Sequence, residues 1–160
     1  MPQSKQLSDN TKVHRLRRIS QLLDNAIPIP GTGYRIGIDP ILGLLPGGGD
    51  TLGGLLSAYI VVEAARMGLP RKVIWQMVGN IVFDGVVGIV PVLGDFLDIG
   101  WKANVRNIAL LEKYLHLTTR DRPGDKLFLI GLIILLTTIV IGFAVLTIMA
   151  INWLWDIFTK

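Results

Sequence analysis

The chain has 160 residues, of which 51% are hydrophobic and 18% are charged, a composition too apolar for an ordinary soluble domain. Its formal charge is +4, but the basic residues flank apolar stretches instead of forming one face, which favours a membrane protein over a nucleic-acid binder. The absence of cysteine excludes disulfides and sites built on thiolates.

The N-terminal arm predicts a short basic amphipathic helix. Its apolar residues recur at helical spacing: Val13, Leu16, Ile19, Leu22 and Leu23. The four candidate residues for binding a membrane surface lie opposite them: Lys12, Arg15, Arg17 and Arg18. Either this basic face binds anionic headgroups, or the apolar face packs on the protein's own core. Prolines and glycines between residues 28 and 33 then predict a linker that no helix crosses.

The middle of the chain contains an internal repeat. Residues 39–50 read DPILGLLPGGGD and residues 84–95 read DGVVGIVPVLGD, so both fit the frame D-x-x-x-G-x-x-P-x-x-G-D. The repeat predicts two units in which a helix breaks at Pro-x-x-Gly and restarts at an aspartate that can cap it. The first unit is expected over about 36–45 and 50–67, and the second over about 71–90 and 95–114.

Helix lengths and flanking charges predict how these units lie in a bilayer. A helix over 36–45 would be roughly 15 Å long, which is too short to cross a hydrocarbon core of about 30 Å. If each unit turns back at its break, the neighbouring basic residues emerge on one side, and the positive-inside rule makes that side cytoplasmic. We therefore expect two re-entrant hairpins that enter from the cytoplasm, and the rival topology has 50–67 and 73–90 as full spans.

The repeat also supplies most members of a candidate polar site. Its residues are Asp39, Pro46, Gly49, Asp50, Gln76, Asn80, Asp84, Pro91, Gly94, Asp95 and Asp98. Simple structural roles explain three of the acids, because Asp50 and Asp95 can cap helices and Asp98 can pair with a lysine one turn on. Asp39 and Asp84 precede the breaks in apolar surroundings, where a carboxylate usually faces a cavity or a partner.

One stripe along the second unit has two possible uses. Gln76, Asn80, Asp84 and Gly88 follow one another at a spacing of four residues, which places them on one side of a helix. The stripe is either a hydrogen-bonded seam between helices or the wall of a wet crevice that passes cations or protons.

Motifs for catalysis and cofactor binding fail on inspection. The segment PGGGDT lacks the Lys-Ser/Thr ending of a phosphate-binding loop, and Asp50 puts negative charge where phosphate would lie. His14 and His116 are far apart, and no serine is adjacent to a histidine, so neither zinc nor a nucleophilic triad is supported. We therefore expect no enzyme activity, no cofactor, no metal site and no catalytic residue.

The last predicted element is a transmembrane helix. No charged residue occurs from Leu127 to Ile151, and this segment would be roughly 37 Å long as a helix. Trp153 and Trp155 follow this helix as interfacial anchors. The loop before the helix carries basic residues, which place that loop in the cytoplasm.

Two segments resemble a known family. These are IPGTGYRIGIDPILGLLPGGGDTLGGLLSAYIV and GIVPVLGDFLDIGWKANVRNIALLEKYL, and over about residues 26–115 the chain is similar to domain of unknown function 4112. The paired Pro-x-x-Gly-Asp motifs carry the resemblance. It implies a small membrane protein common in bacteria, and it supplies no activity, substrate or catalytic residue.

Together these observations predict an all-α integral membrane protein with two repeated re-entrant hairpins and one C-terminal span. The expected regions are the basic arm and linker (1–33), the broken-helix domain (34–116), and the cytoplasmic loop with the terminal span (117–160). The protein is expected in a bacterial inner membrane or an intracellular membrane. Its N-terminus is expected on the cytoplasmic side. The expected function is a structural or scaffolding component that contacts the lipid bilayer and forms a homo-oligomer or joins a larger complex. The alternative is a minimal transporter or channel subunit.

Overall fold

Five helices and one short strand pair make up the described part of the chain. The structure is a computed structural model and describes residues 2–28, 30–31, 35–36, 49–88, 102–115 and 125–159. The helices are α1 (Pro2–Asn25), α2 (Gly49–Arg66), α3 (Arg71–Gly88), α4 (Ala103–Leu115) and α5 (Lys126–Thr159). Strand β1 (Ile27–Pro28) pairs antiparallel with β2 (Arg35–Ile36). The predicted all-α class is therefore confirmed.

The turn between α2 and α3 is fixed by a glycine. Gly68 has a φ of 86°, in the left-handed region that glycine occupies without strain. Its N–H donates to the carbonyl of Ala65 at 3.1 Å, and the N–H of Leu69 donates to that of Ala64 at 3.3 Å. This pair of bonds is the Schellman motif, which satisfies the last carbonyls of a helix. Pro70 follows, and its carbonyl accepts the first bonds of α3, so the chain reverses within four residues.

Helices α1 to α4 surround one apolar core. Helix α1 packs on α4, α4 on α3, α3 on α2, and α2 on both α1 and α4. Leu16, Ile60, Ile74, Met77 and Leu111 are completely or almost completely buried there. Because all four helices contribute to the same core, removing any one of them would expose apolar side chains of the others to solvent.

Helix α5 packs on the outside of this body, mainly against α2 and also against α3. Leu132, Leu136 and Val140 are buried and recur every four residues, so they form one contact stripe. Two glycines allow the close approach. A Cβ atom at Gly54 would lie 3.2 Å from Val140, and one at Gly85 would lie 2.5 Å from the ring of Phe143.

The contacts also give the direction of α5. The guanidinium of Arg71, at the start of α3, lies 4.8 Å from the ring centroid of Phe128, and Gly85, near the end of α3, contacts Phe143. Both pairs are separated by nearly the same number of residues, so α3 and α5 run parallel. Helix α2 runs antiparallel to both, since the chain reverses between α2 and α3.

Among the described residues, α5 is the only helix long and apolar enough to cross a membrane. Its 34 residues give a length of about 51 Å, well above the roughly 30 Å of a hydrocarbon core. The sequence predicted a span over 127–151, and the helix continues beyond it through both C-terminal tryptophans.

The other predicted elements lie only partly within the described residues. Helices α2 and α3 match the predicted segments 50–67 and 71–90 closely. The helix predicted over about 36–45 does not begin at Ile36, because that residue pairs with Ile27 in the strand pair. The predicted segment 37–45 and both Pro-x-x-Gly motifs lie outside the described residues, except for Gly49, which begins α2.

The packing of α5 can be tested with two alanine substitutions on α3. Gly85→Ala should lower the stability of the protein by about 1–3 kcal/mol, because the new methyl group overlaps the ring of Phe143. Gly79→Ala is the matched control, since no atom lies within 4 Å of the position its Cβ would take. It should raise stability by about 0.5–1 kcal/mol through helix propensity. Thermal unfolding in mild detergent checks both, and equal effects of the two variants would contradict the contact.

Candidate functional site

A buried polar cluster lies where α1 and α3 meet α4. We define the polar cluster by six residues: Asp24, Asn25, Asn80, Lys102, Asn104 and Asn107. Asn104 and Asn107 are completely buried, and Asp24 is only 9% exposed. Such groups are costly to bury unless they are hydrogen-bonded, so their arrangement constrains how the helices fit together.

Asp24, near the C-terminus of α1, caps the N-terminus of α4. One carboxylate oxygen accepts a hydrogen bond of 2.8 Å from the backbone N–H of Val105, and the other accepts one of 2.8 Å from the side-chain amide of Asn104. The first N–H groups of a helix have no partner within the helix, and the helix dipole favours a negative charge at this end. Asp24 on α1 therefore caps α4, a role that usually belongs to the residue just before the helix.

Two further side chains strengthen the junction between α1 and α4. The ammonium group of Lys102 donates a hydrogen bond to the side-chain oxygen of Asn25. The carbonyl of Lys102 also accepts a hydrogen bond of 3.0 Å from the N–H of Arg106, so Lys102 occupies the N-cap position of α4. The polar cluster thus ties the end of α1 to the beginning of α4 by side-chain and backbone contacts.

Asn107 connects α4 to α3. Its side-chain oxygen accepts a hydrogen bond of 2.8 Å from the amide of Asn80, and its own amide donates to the carbonyl of Met77 at 3.3 Å. Asn80 belongs to the stripe predicted from the sequence. At this residue the stripe makes the interhelical hydrogen bond that the seam interpretation requires.

Burial raises the pKa of Asp24 above its ordinary value. Desolvation is the largest effect, and the hydrogen bonds from Asn104 and Val105 and the positive charge of Lys102 oppose it without cancelling it. The side-chain oxygen of Asn104 is itself buried without a hydrogen-bond partner among the described residues. The polar cluster therefore holds a buried carboxyl group with a raised pKa and a buried acceptor that has no partner among the described residues.

The remaining residues of the predicted polar site are distributed over α2 and α3 or lie outside the described residues. Gln76 is exposed and Asp84 is partly buried on α3. Gly49 and Asp50 are the first residues of α2. The following lie outside the described residues: Asp39, Pro46, Pro91, Gly94, Asp95 and Asp98. Within the described ranges, no group of three or more acids or histidines could hold a metal ion.

The predicted basic arm is docked on the body of the protein. Val13, Leu16 and Leu23 of α1 are buried in the core, whereas Leu22 is exposed. The apolar face thus packs on the protein's own core, which is one of the two uses that the sequence left open.

The four basic residues of this arm all lie on its exposed side. Arg17 forms an ion pair of 2.6 Å with Glu112 of α4. Arg15 donates a hydrogen bond to the hydroxyl of Tyr59 and lies over its ring. Lys12 and Arg18 are exposed. Binding of a membrane surface by these residues stays a prediction.

Of the six residues of the polar cluster, the sequence reasoning placed only Asn80 in its candidate site and missed the other five: Asp24, Asn25, Lys102, Asn104 and Asn107. A sign was available for two of them, because Asn104 and Asn107 alternate with Ala103, Ile108 and Leu111 on the apolar side of α4. Polar residues on a stripe that faces the core require a partner there. No comparable sign marked Asp24, because its partners are far away in the sequence.

The family assignment rests on residues 12–115, which match the model of the family described as Domain of unknown function (DUF4112). The chain belongs to this family. The match begins within α1 and ends with the last residue of α4, so it includes the whole polar cluster and leaves α5 outside. Comparison with curated proteins and with solved structures gave no match.

The raised pKa of Asp24 predicts a pH dependence of stability. The folded protein binds the Asp24 proton more tightly than the unfolded chain does, so this contribution to stability is present at low pH and is lost as the pH rises through the raised pKa. Asp24→Asn cannot ionise, and its amide can still accept from Val105. We therefore expect the unfolding temperature of this variant to improve relative to the wild type as the pH rises from about 4 through the raised pKa of Asp24.

Asp9→Asn is the control, because it removes an acid from the same helix outside the polar cluster. Thermal unfolding of the three proteins at several pH values checks the prediction. An Asp24→Asn protein that becomes less stable relative to the wild type as the pH rises would contradict it.

Proposed function

We propose that this protein is an integral membrane protein with a structural or scaffolding role, which it performs by self-association or by joining a larger complex. The observation that carries the proposal is the apolar surface of α5. Only 17% of its most apolar segment is buried within the protein. The exposed side chains include Leu127, Ile134, Ile141, Val145 and Met149. An apolar surface of this kind indicates a membrane or a partner.

The ends of α5 support a position across the bilayer. Asp125 caps its N-terminus through a hydrogen bond of 3.1 Å to the N–H of Leu127, and Lys126 follows directly. Trp153 and Trp155 are exposed near the other end. Tryptophan is enriched at membrane interfaces, and basic residues are enriched on the cytoplasmic side. We therefore infer that α5 enters the bilayer from the cytoplasm at its N-terminus.

The same orientation supports entry of α2 and α3 into the bilayer from the cytoplasmic side. Their connecting turn lies beside the start of α5, since Arg71 pairs with Asp125 at 2.8 Å. The large exposed apolar residues of α2 and most of those of α3 lie towards the opposite end: Leu52, Leu55, Leu56, Phe83 and Val86. These ends would be in contact with lipid beside α5. This arrangement agrees with hairpins whose breaks lie deep in the membrane.

A scaffolding role requires a surface for another protein, and α5 offers one on the side turned away from α2. Gly131 and Gly142 are exposed about three turns apart, and no atom lies within 4 Å of the position that a Cβ would take at either. Small residues on an exposed face let a second transmembrane helix approach closely. We propose that this face mediates self-association or binding to another membrane protein.

The experiment is to measure membrane integration and assembly of the full chain. The protein should stay with the membrane after alkaline carbonate extraction and should run as an oligomer or complex on native gels in mild detergent. Gly131→Leu combined with Gly142→Leu should weaken association by about tenfold, which corresponds to about 1–2 kcal/mol of helix packing. Gly79→Leu is the control, because it adds the same side chain at an open glycine of α3.

Two results would contradict this proposal. Release of the protein by carbonate would exclude an integral membrane protein. A monomer in native membranes with no bound partner would exclude the scaffolding role and leave membrane integration in place.

One observation favours a second candidate function, a minimal transporter or channel subunit. Asp84 is adjacent to Gly85, which contacts Phe143 in the middle of α5. If α5 spans the bilayer, this carboxyl group lies at membrane depth, where acids are costly and are often part of ion or proton paths. Asn80 lies one turn before it and is hydrogen-bonded to Asn107.

The transport hypothesis makes a separate prediction. Asp39→Asn combined with Asp84→Asn should leave folding and assembly intact and abolish cation or proton flux into vesicles that contain the purified protein. Asp9→Asn provides a control, because it removes a carboxyl group from α1, outside the stripe that contains Asp84. Equal flux through the wild type and the double variant would exclude this path.

A further inference from the structure

Trp75 on α3 lies far along the helix axis from the two C-terminal tryptophans of α5, Trp153 and Trp155. Its side chain is 52% exposed in the second turn of α3. Because α3 and α5 run parallel, with Arg71 beside Phe128 and Gly85 beside Phe143, Trp75 lies about level with Leu132. A large aromatic side chain that is half exposed is unusual on a surface that faces water. At a membrane interface such tryptophans are common.

The distance from this level to the other end of α5 matches the thickness of a bilayer. From Leu132 to Trp153 the helix rises by roughly 31 Å, and the hydrocarbon core measures about 30 Å. Both Trp75 and Trp153 are more than half exposed. The two residues thus have the spacing of a pair of aromatic belts, one at each surface of the membrane.

A group of basic residues lies just outside the level of Trp75. We name this group the basic collar, and its members are Arg66, Arg71, Lys72 and Lys126. Lys72 precedes Trp75 by three residues and Lys126 precedes Leu132 by six, so they lie roughly 5–9 Å further out along the helix axis. The headgroup layer on each side of the hydrocarbon core has about this thickness.

Two members of the basic collar have acidic partners, and the other two have none among the described residues. Arg66 pairs with Glu63 and Arg71 pairs with Asp125. Lys72 and Lys126 are exposed, and the described residues contain no ion pair to either. Their positive charge is therefore available to a partner at the headgroup level.

We infer that the basic collar binds anionic phospholipid headgroups of the leaflet whose interface Trp75 marks. The inference rests on the proposed insertion of α5 in a membrane, and it adds the depth of the protein and the chemical class of lipid. Positive charge at the headgroup level complements anionic lipid, and the long lysine side chains can reach phosphate from either helix. Lys72 and Lys126 supply this attraction, while Trp75 holds the depth.

The test uses tryptophan fluorescence of the full chain in vesicles. Replacing Trp101, Trp153 and Trp155 by Phe leaves Trp75 as the one fluorophore of its kind. Lipids brominated near the headgroup should quench it more strongly than lipids brominated near the chain end. In mixed vesicles, brominated phosphatidylglycerol should quench it more strongly than brominated phosphatidylcholine, with an apparent preference of about threefold or more.

Two pairs of substitutions locate the source of the lipid preference. Lys72→Gln with Lys126→Gln should reduce the preference to near one, whereas Lys113→Gln on α4 should leave it unchanged. Lys12→Gln with Arg18→Gln asks whether α1 supplies the charge instead, and loss of the preference in this variant alone would overturn the inference. Unaltered preference after removal of both collar lysines would also overturn it.

The quenching measurement tests the depth of Trp75, and carbonate extraction tests insertion in the membrane. One of the two can fail while the other succeeds. Absent quenching of Trp75, or strongest quenching from the chain end, overturns the inferred depth even when the protein resists carbonate extraction. Release by carbonate would instead contradict the proposed membrane insertion on which the inference rests.

Discussion

The contact between α5 and the α2–α3 hairpin holds the longest helix of the described chain against the body formed by α1 to α4. Leu132, Leu136 and Val140 occupy one stripe of α5, and Gly54 and Gly85 let the helices approach closely enough to bury it. The contact aligns a long apolar helix with two shorter ones and places the α2–α3 turn beside the charged start of α5. It also leaves the larger part of α5 exposed, and this exposed surface is the physical reason for the proposed insertion in a membrane.

The polar cluster gives the body a second constraint of a different kind. Apolar contacts tolerate small shifts, whereas the carboxylate of Asp24 must meet the first N–H groups of α4, and Asn107 must meet both Asn80 and the carbonyl of Met77. These bonds specify how α1, α3 and α4 fit together. The cost of burying Asp24 appears as a raised pKa, so the same geometry that defines the junction predicts a dependence of stability on pH.

Membership of the family and the proposed role concern different parts of the chain. The family match covers residues 12–115 and therefore the body with its polar cluster, whereas the surface that carries the membrane proposal belongs to α5. Glycines on the exposed side of α5 favour a scaffold, and the position of Asp84 favours an ion path. The two proposals share one orientation in the bilayer, with the α2–α3 turn and the basic collar on the cytoplasmic side.

The helical class, the long apolar helix and the approximate limits of α2 and α3 could be predicted from the sequence, because they follow from local hydrophobic periodicity, from Gly68 and Pro70, and from an uncharged run. It also identified Asn80 as a residue that requires a partner. The fold was needed to show that Asn107 is that partner, that Asp24 caps α4 from a distant helix, and that Trp75 lies level with Leu132. These relations join residues that are far apart in the chain, and their physical basis is the packing of whole helices, which no local pattern records.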